Sequence, residues 1–134
     1  MSFVQAFASY CQSTGLGTVG QTIFINYLPD QLVVPAAATL VQTAGRPGDV
    51  SYRWDTVGVQ VLVRGQPAQA LALAQQYYDQ LAATQRTVVG SWYLVDCQPQ
   101  QSGPIYLGRD DAGLDEYSIN FLVTVRNPTG ANRV

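Results

Sequence analysis

The clearest hydrophobic pattern in the chain is TVGVQVLVRG (56–65), where Val57, Val59, Val61 and Val63 alternate with polar Thr56, Gln60 and Arg64. This period of two predicts a strand with one buried face. LDEYSINFLVTVRN (114–127) repeats it. Tyr117, Ile119, Phe121, Val123 and Val125 face one way, and Glu116, Ser118, Asn120, Thr124 and Arg126 the other, with Leu122 breaking the polar face. Between them, QPAQALALAQQYYDQLAAT (66–84) switches to the helical period. Pro67 suits its first turn, and Leu71, Ala74, Tyr78 and Leu81 make a stripe widened by Ala70, Leu73 and Tyr77.

Weaker signals fill the remainder. Phe3, Phe7 and Tyr10/Cys11 predict a short helix over about 3–12, ended by the Gly-rich linker STGLGTVGQ (13–21). TIFINYLP (22–29) reads as a strand running into a turn at Pro29 and Asp30. LVVPAAATLVQTA (32–44) reads as a strand whose Pro35 lies at an edge or outside the sheet, followed by the loop AGRPGDVSYRWD (44–55). VVGSWYLVDCQP (88–99) and GPIYLG (103–108) read as two further strands, and 127–134 as a flexible tail. The resulting order is α-β-β-β-α-β-β-β. Two apolar strand faces demand a helical cover, so a single α+β domain over 1–134 is expected: a mainly antiparallel sheet with helices packed on one face.

Composition narrows the function. Only 12% of residues are charged, about half the usual ~25%. So neutral a surface is a weak defence against association and suits a subunit of an assembly. All seven basic residues are Arg and the net charge is −2, so a basic nucleic-acid footprint is missing. No apolar run reaches the length of a membrane span, and the N-terminus has no signal-peptide pattern. Cys11 and Cys97 are expected to be small buried thiols in a reducing compartment, a bridge between them remaining open.

Conventional catalytic equipment is scarce. With no His and no Lys, a Ser or Cys nucleophile lacks its usual base, and His-based zinc sites are excluded. The remaining candidates are the carboxylates of IYLGRDDAGLDEYSINFLV (105–123), where Arg109, Asp110, Asp111, Asp115 and Glu116 fall within eight residues. The spacing lacks the calcium-loop alternation, and a loop tip in water lacks the apolar pocket that a general acid needs. A β-hairpin accounts for most of it: Asp111 and Ala112 at the centre of a type I turn, with Gly113 at positive φ as a bulge. Arg109 is then either an internal ion-pair partner or a contact for an acidic patch on a neighbouring subunit. GLGTVG has the form of a phosphate cradle at Gly15, Gly17 and Gly20, but it follows a helix and precedes a strand, the reverse of the required context. Trp92 reads as core; Trp54, next to Arg53, reads equally as core or as an interface anchor.

VQTAGRPGD (41–49), VGVQVLVRG (57–65), ALALAQQYYDQL (70–81) and PIYLGRDDAGLDEYSINFLVTV (104–125), in this order, resemble the small minor-capsid or tail-terminator proteins of tailed bacteriophages. The resemblance covers most of 28–126. Gly108, Arg109, Asp110 and Gly113 occupy that family's hairpin motif, and Arg64 its strand-ending Arg. It implies a structural virion protein, not an enzyme and without a cofactor. Its copies would close into a ring, usually a hexamer, at the head-proximal end of the tail tube, stopping tube growth and offering a surface to the head connector. The implied partners are further copies, the tail tube protein and a head-tail connector or stopper, with no membrane and no sequence-specific nucleic acid. The implied place is the tail or neck of the virion, after assembly in the host cytoplasm. Arg64, Gly108, Arg109, Asp110, Asp111, Gly113, Asp115, Glu116 and Trp54 are the expected interface residues. Alternatives are another neck component (a stopper or adaptor), a carboxylate-dependent hydrolase, and a small-anion binding module resting on GLGTVG.

Overall fold

A computed structural model describes residues 2–29, 31–49 and 54–126, without the side chains of 44–49. The expected tail, the turn residue Asp30, and residues 50–53 of the expected loop lie outside the described residues. The elements are α1 (Phe3–Ser13), β1 (Ile23–Ile25), β2 (Ala36–Asp49), β3 (Trp54–Gly65), α2 (Pro67–Ala82), β4 (Gln85–Val89), β5 (Trp92–Pro99), β6 (Ile105–Arg109) and β7 (Asp115–Arg126). This is the α+β order read from the sequence, with the 88–99 run resolved into part of a hairpin: Gly90 and Ser91 form a two-residue turn between β4 and β5.

The sheet runs β1-β2-β3-β7-β5-β4, with β6 also on β7. Among the described strands only β1 and β2 pair in parallel. β3 and β7 pair along their full lengths, from Asp55↔Val125 to Gly65↔Asp115. The other edge of β7 is shared: β5 takes its C-terminal half and β6 its N-terminal half. In the gap, the Gln101 side-chain amide stands in for a peptide group, donating to Ser118 O (3.1 Å) and accepting from Asn120 N (3.3 Å). Ladder groups of β7 that would otherwise be orphaned are thereby satisfied.

Both helices cover one face. Val59, Val61, Val63, Ile119, Phe121, Val123 and Val125 are buried as the alternation requires, while Val57 is half-buried. Each full burial contributes about 1.5–3 kcal/mol. α1 begins in a capping box: the Ser2 hydroxyl accepts from Gln5 N, and Ser2 N donates to the Gln5 side chain. It stacks Phe3 on Phe7 (5.3 Å), and Trp92 meets Phe3 edge-on (5.6 Å). Its end explains Gly15. Leu16 N donates to Cys11 O and Gly15 N to Gln12 O, with Gly15 at φ 89°, a Schellman stop that favours glycine.

Three local expectations are corrected. The α2 stripe is rotated: Ala70, Ala74, Tyr77 and Leu81 are buried, Tyr78 sits at the margin, and Leu71 is 50% exposed. Small Ala residues let the helix lie close to a Val-rich sheet, so they take the inner line. β1 is shorter than 22–29, ending where Asn26 turns to φ 67°. β2 continues through the expected loop to Asp49, with register shifts around Arg46.

Candidate interaction site at the β6–β7 hairpin

The turn after β6 has the geometry that its residues favour. Gly113 N donates to Asp110 O (3.0 Å), Asp110 N donates to Leu114 O (2.9 Å), and Gly113 has φ 79°. This is a type I turn closed by a left-handed glycine. Asp110 Oδ1 also accepts from Ala112 N (2.9 Å) and Leu114 N (3.0 Å). The aspartate thus builds the loop from within.

Register places two ion pairs on opposite faces of the sheet. Arg64, opposite Glu116 on the polar face, donates Nε to Asp110 Oδ2 (2.7 Å), with Nη2 at 2.6 Å from the same oxygen. Its Nη1 donates to Pro29 O (3.2 Å), and Glu116 lies 3.9 Å from Nε. On the helix-covered side, Arg109 Nε donates to Asp115 Oδ1 (2.8 Å), which also accepts from the Tyr106 hydroxyl (3.2 Å). Asp115 is buried, whereas Arg109 is 55% exposed over its side chain. Tyr106 packs on Tyr117 at 5.3 Å. One arginine therefore ties the tip to the centre of the sheet and to the β1–β2 connection, and the other closes the base of the hairpin.

Electrostatics follow from these contacts. Backbone N–H donation from Leu114, followed by Arg64 and Ala112, holds the Asp110 carboxyl below its ordinary range. The Arg109 guanidinium, then the Tyr106 hydroxyl, does the same for Asp115, and Asp115 in turn raises Arg109. A general acid in a glycosidase needs the opposite shift, so the hydrolase alternative finds no support at these two carboxylates. Among the described residues no group of three or more His, Cys, Asp or Glu side chains is placed to hold a metal ion. Within GLGTVG, Gly15 serves the helix stop and Gly20, at φ 88°, the turn into β1.

The structure brings Arg64, Gly108, Arg109, Asp110, Asp111, Gly113, Asp115 and Glu116 together at one end of the sheet. Trp54 is not among them. It lies at the far end of β3, about 35 Å away at ~3.4 Å per strand residue, with Arg126 over its ring at 5.5 Å. Asp111 is exposed at the tip. Tyr106, Gln101 and the Pro29 carbonyl are participants that sequence reasoning missed; only Tyr106 had a signal, in the unalternating apolar run of GPIYLG.

Cys11 and Cys97 are free and buried. No described helix is long and apolar enough to cross a membrane. No individual curated protein matches the chain. The model of the bacteriophage tail terminator protein family matches residues 10–127. That span holds every described strand and every named residue of the hairpin constellation, and the chain belongs to the bacteriophage tail terminator family.

Proposed function

We propose that copies of this chain close into a ring on the last layer of the tail tube, stop its polymerisation, and present a different upper surface to the head connector. Membership of the terminator family over residues 10–127 carries this reading. The physical logic needs no chemistry. A heterologous contact whose rotation closes gives a ring of fixed size, and a ring that binds the tube but does not repeat its end removes the site for the next layer. Low surface charge supports association, since little like-charge repulsion opposes it.

The hairpin is assigned to an intersubunit or tube contact. Arg64, Asp110, Arg109 and Asp115 hold the tip rigid from both faces of the sheet, so little ordering cost remains to be met on binding. Asp111 is exposed at the tip. Electron microscopy of particles lacking the protein tests the role: overlong tails support a terminator, whereas tails of normal length left unattached to filled heads assign the chain to a stopper and overturn the reading.

A further inference from the structure

The sheet has two apolar edges at the same height. The first is β6, where Ile105, Tyr106 and Leu107 are 45%, 52% and 53% exposed in succession. Among the described strands β6 pairs only with β7. The second flanks β1, where Val19, Ile23, Phe24, Ile25 and Tyr27 line a cleft of about 190 Å³, with Val19 40% and Tyr27 60% exposed. Register puts the two on common rows. Ile23, Ala38, Val63, Tyr117 and Tyr106 form one, and Phe24, Thr39, Leu62, Ser118 and Ile105 the next. They are thus the opposite ends of a five-strand span, roughly 19 Å wide at ~4.8 Å per strand.

We infer that the β6 edge of one copy packs into the Val19–Tyr27 cleft of the next copy. This rests on the ring reading and supplies its lateral contact. Counting senses across the sheet, β1 and β2 are parallel, β3 reverses, β7 reverses again, and β6 once more. β6 therefore runs antiparallel to β1, so a copy displaced sideways without being inverted brings the two edges together in antiparallel sense. The contact joins two different surfaces, and every copy carries one of each, as a closed ring requires.

Side chains, not an extended backbone ladder, carry the contact. On one side the turn before β1 already occupies the peptide groups of Ile23, which donates to Thr18 O and accepts from Gly20 N. On the other, a register shift between Tyr106 and Gly108 leaves Leu107 as the extra, bulged residue. Such bulges block edge-to-edge pairing. Leu107, 53% exposed, is left uncovered and can enter a cleft. The Asp111 tip follows directly after β6 and lies beside this contact, forming part of its polar rim.

The test uses the full chain. Light scattering across a concentration series establishes the mass of the parent protein. Leu107→Glu and Val19→Glu, both at exposed positions, are then measured with circular dichroism to verify the fold. Each is expected to raise the concentration of half-assembly by about tenfold or more. A double variant, Val19→Cys with Leu107→Cys, is expected to give a ladder of covalent oligomers on mild oxidation, while either single variant alone gives none. Assembly unchanged by both Glu variants, or a covalent dimer from Leu107→Cys alone, overturns the inference and leaves the ring standing. A parent chain that stays monomeric at every concentration overturns the ring itself.

Discussion

Asp110 and Asp115 do different work at one end of the sheet, and acid separates them from the rest of the molecule. Both carboxyls are held below their ordinary range by N–H donors and arginines. Their stabilising effect is therefore fully present above the unfolded carboxylate value, ~3.9, and is lost as pH falls through the lower folded values. The unfolding midpoint is expected to be flat in their contribution from pH 8 to 5 and to drop below about pH 4. Carboxyl-carbon NMR titrations should show the Asp115 value rising toward normal in Arg109→Gln, and the Asp110 value rising less in Arg64→Gln, because backbone donors remain. Buried thiols give the alkaline counterpart. Burial pushes Cys11 up to about 12 and raises Cys97 as well. Their contribution is present below the unfolded thiol value, ~8.5, and lost as pH climbs through the folded ones. A thiol reagent at pH 8 is expected to find no fast-reacting cysteine in the native protein and both in denaturant. At Gly113, a methyl group would meet nothing within 4 Å, so Gly113→Ala should cost about 1–2 kcal/mol from the left-handed backbone alone, measurable by urea unfolding.

Elements were legible where one face is strongly apolar, and less so where only the tertiary partner decides. The alternations in β3 and β7 named seven fully buried side chains, with Val57 and Tyr117 only half-buried and Ser118 of the polar face buried instead, and the Asp-Asp-Ala-Gly turn was readable from its own chemistry. The α2 period was equally plain, but its phase was not. Leu71 and Ala70 differ by one step on the wheel, and the flat Val surface beneath α2 selects the smaller residue. Two substitutions check this phase by chemical denaturation: Leu71→Gln should change stability by less than about 0.5 kcal/mol, whereas Ala74→Leu should cost about 1–3 kcal/mol by overpacking. The Gly90–Ser91 turn carried a known hairpin signal, masked by apolar residues on both sides. Gln101 offered no sequence cue, because its role exists only where β5 and β6 divide one edge of β7. Removing the α1 cap with Ser2→Ala should cost about 1 kcal/mol, a loss independent of every change at the hairpin because the cap shares no partner with it.

At the scale of the whole molecule, Arg109, Asp110 and Asp115 at the tip are already paired within the chain, while the apolar residues beside it stay exposed. Under the proposed ring, this divides two contributions to assembly. A contact led by Arg109 and the acidic residues would weaken in salt, since the Debye length shrinks to about 3 Å at 1 M. A contact led by Ile105, Tyr106 and Leu107 against Val19 and Tyr27 would hold or strengthen, because burial of apolar surface is its driving force. The assembled mass is therefore expected to persist between low salt and 1 M sodium chloride. Asp111 is the tip residue suited to probing the rim, as Arg109 and Asp110 serve the fold. Asp111→Arg should leave the unfolding midpoint within experimental scatter and change the rate of assembly at low salt more than its end point, as a rim charge does. Dissociation of the proposed ring by salt alone would transfer the leading role from the apolar edge to the charged hairpin.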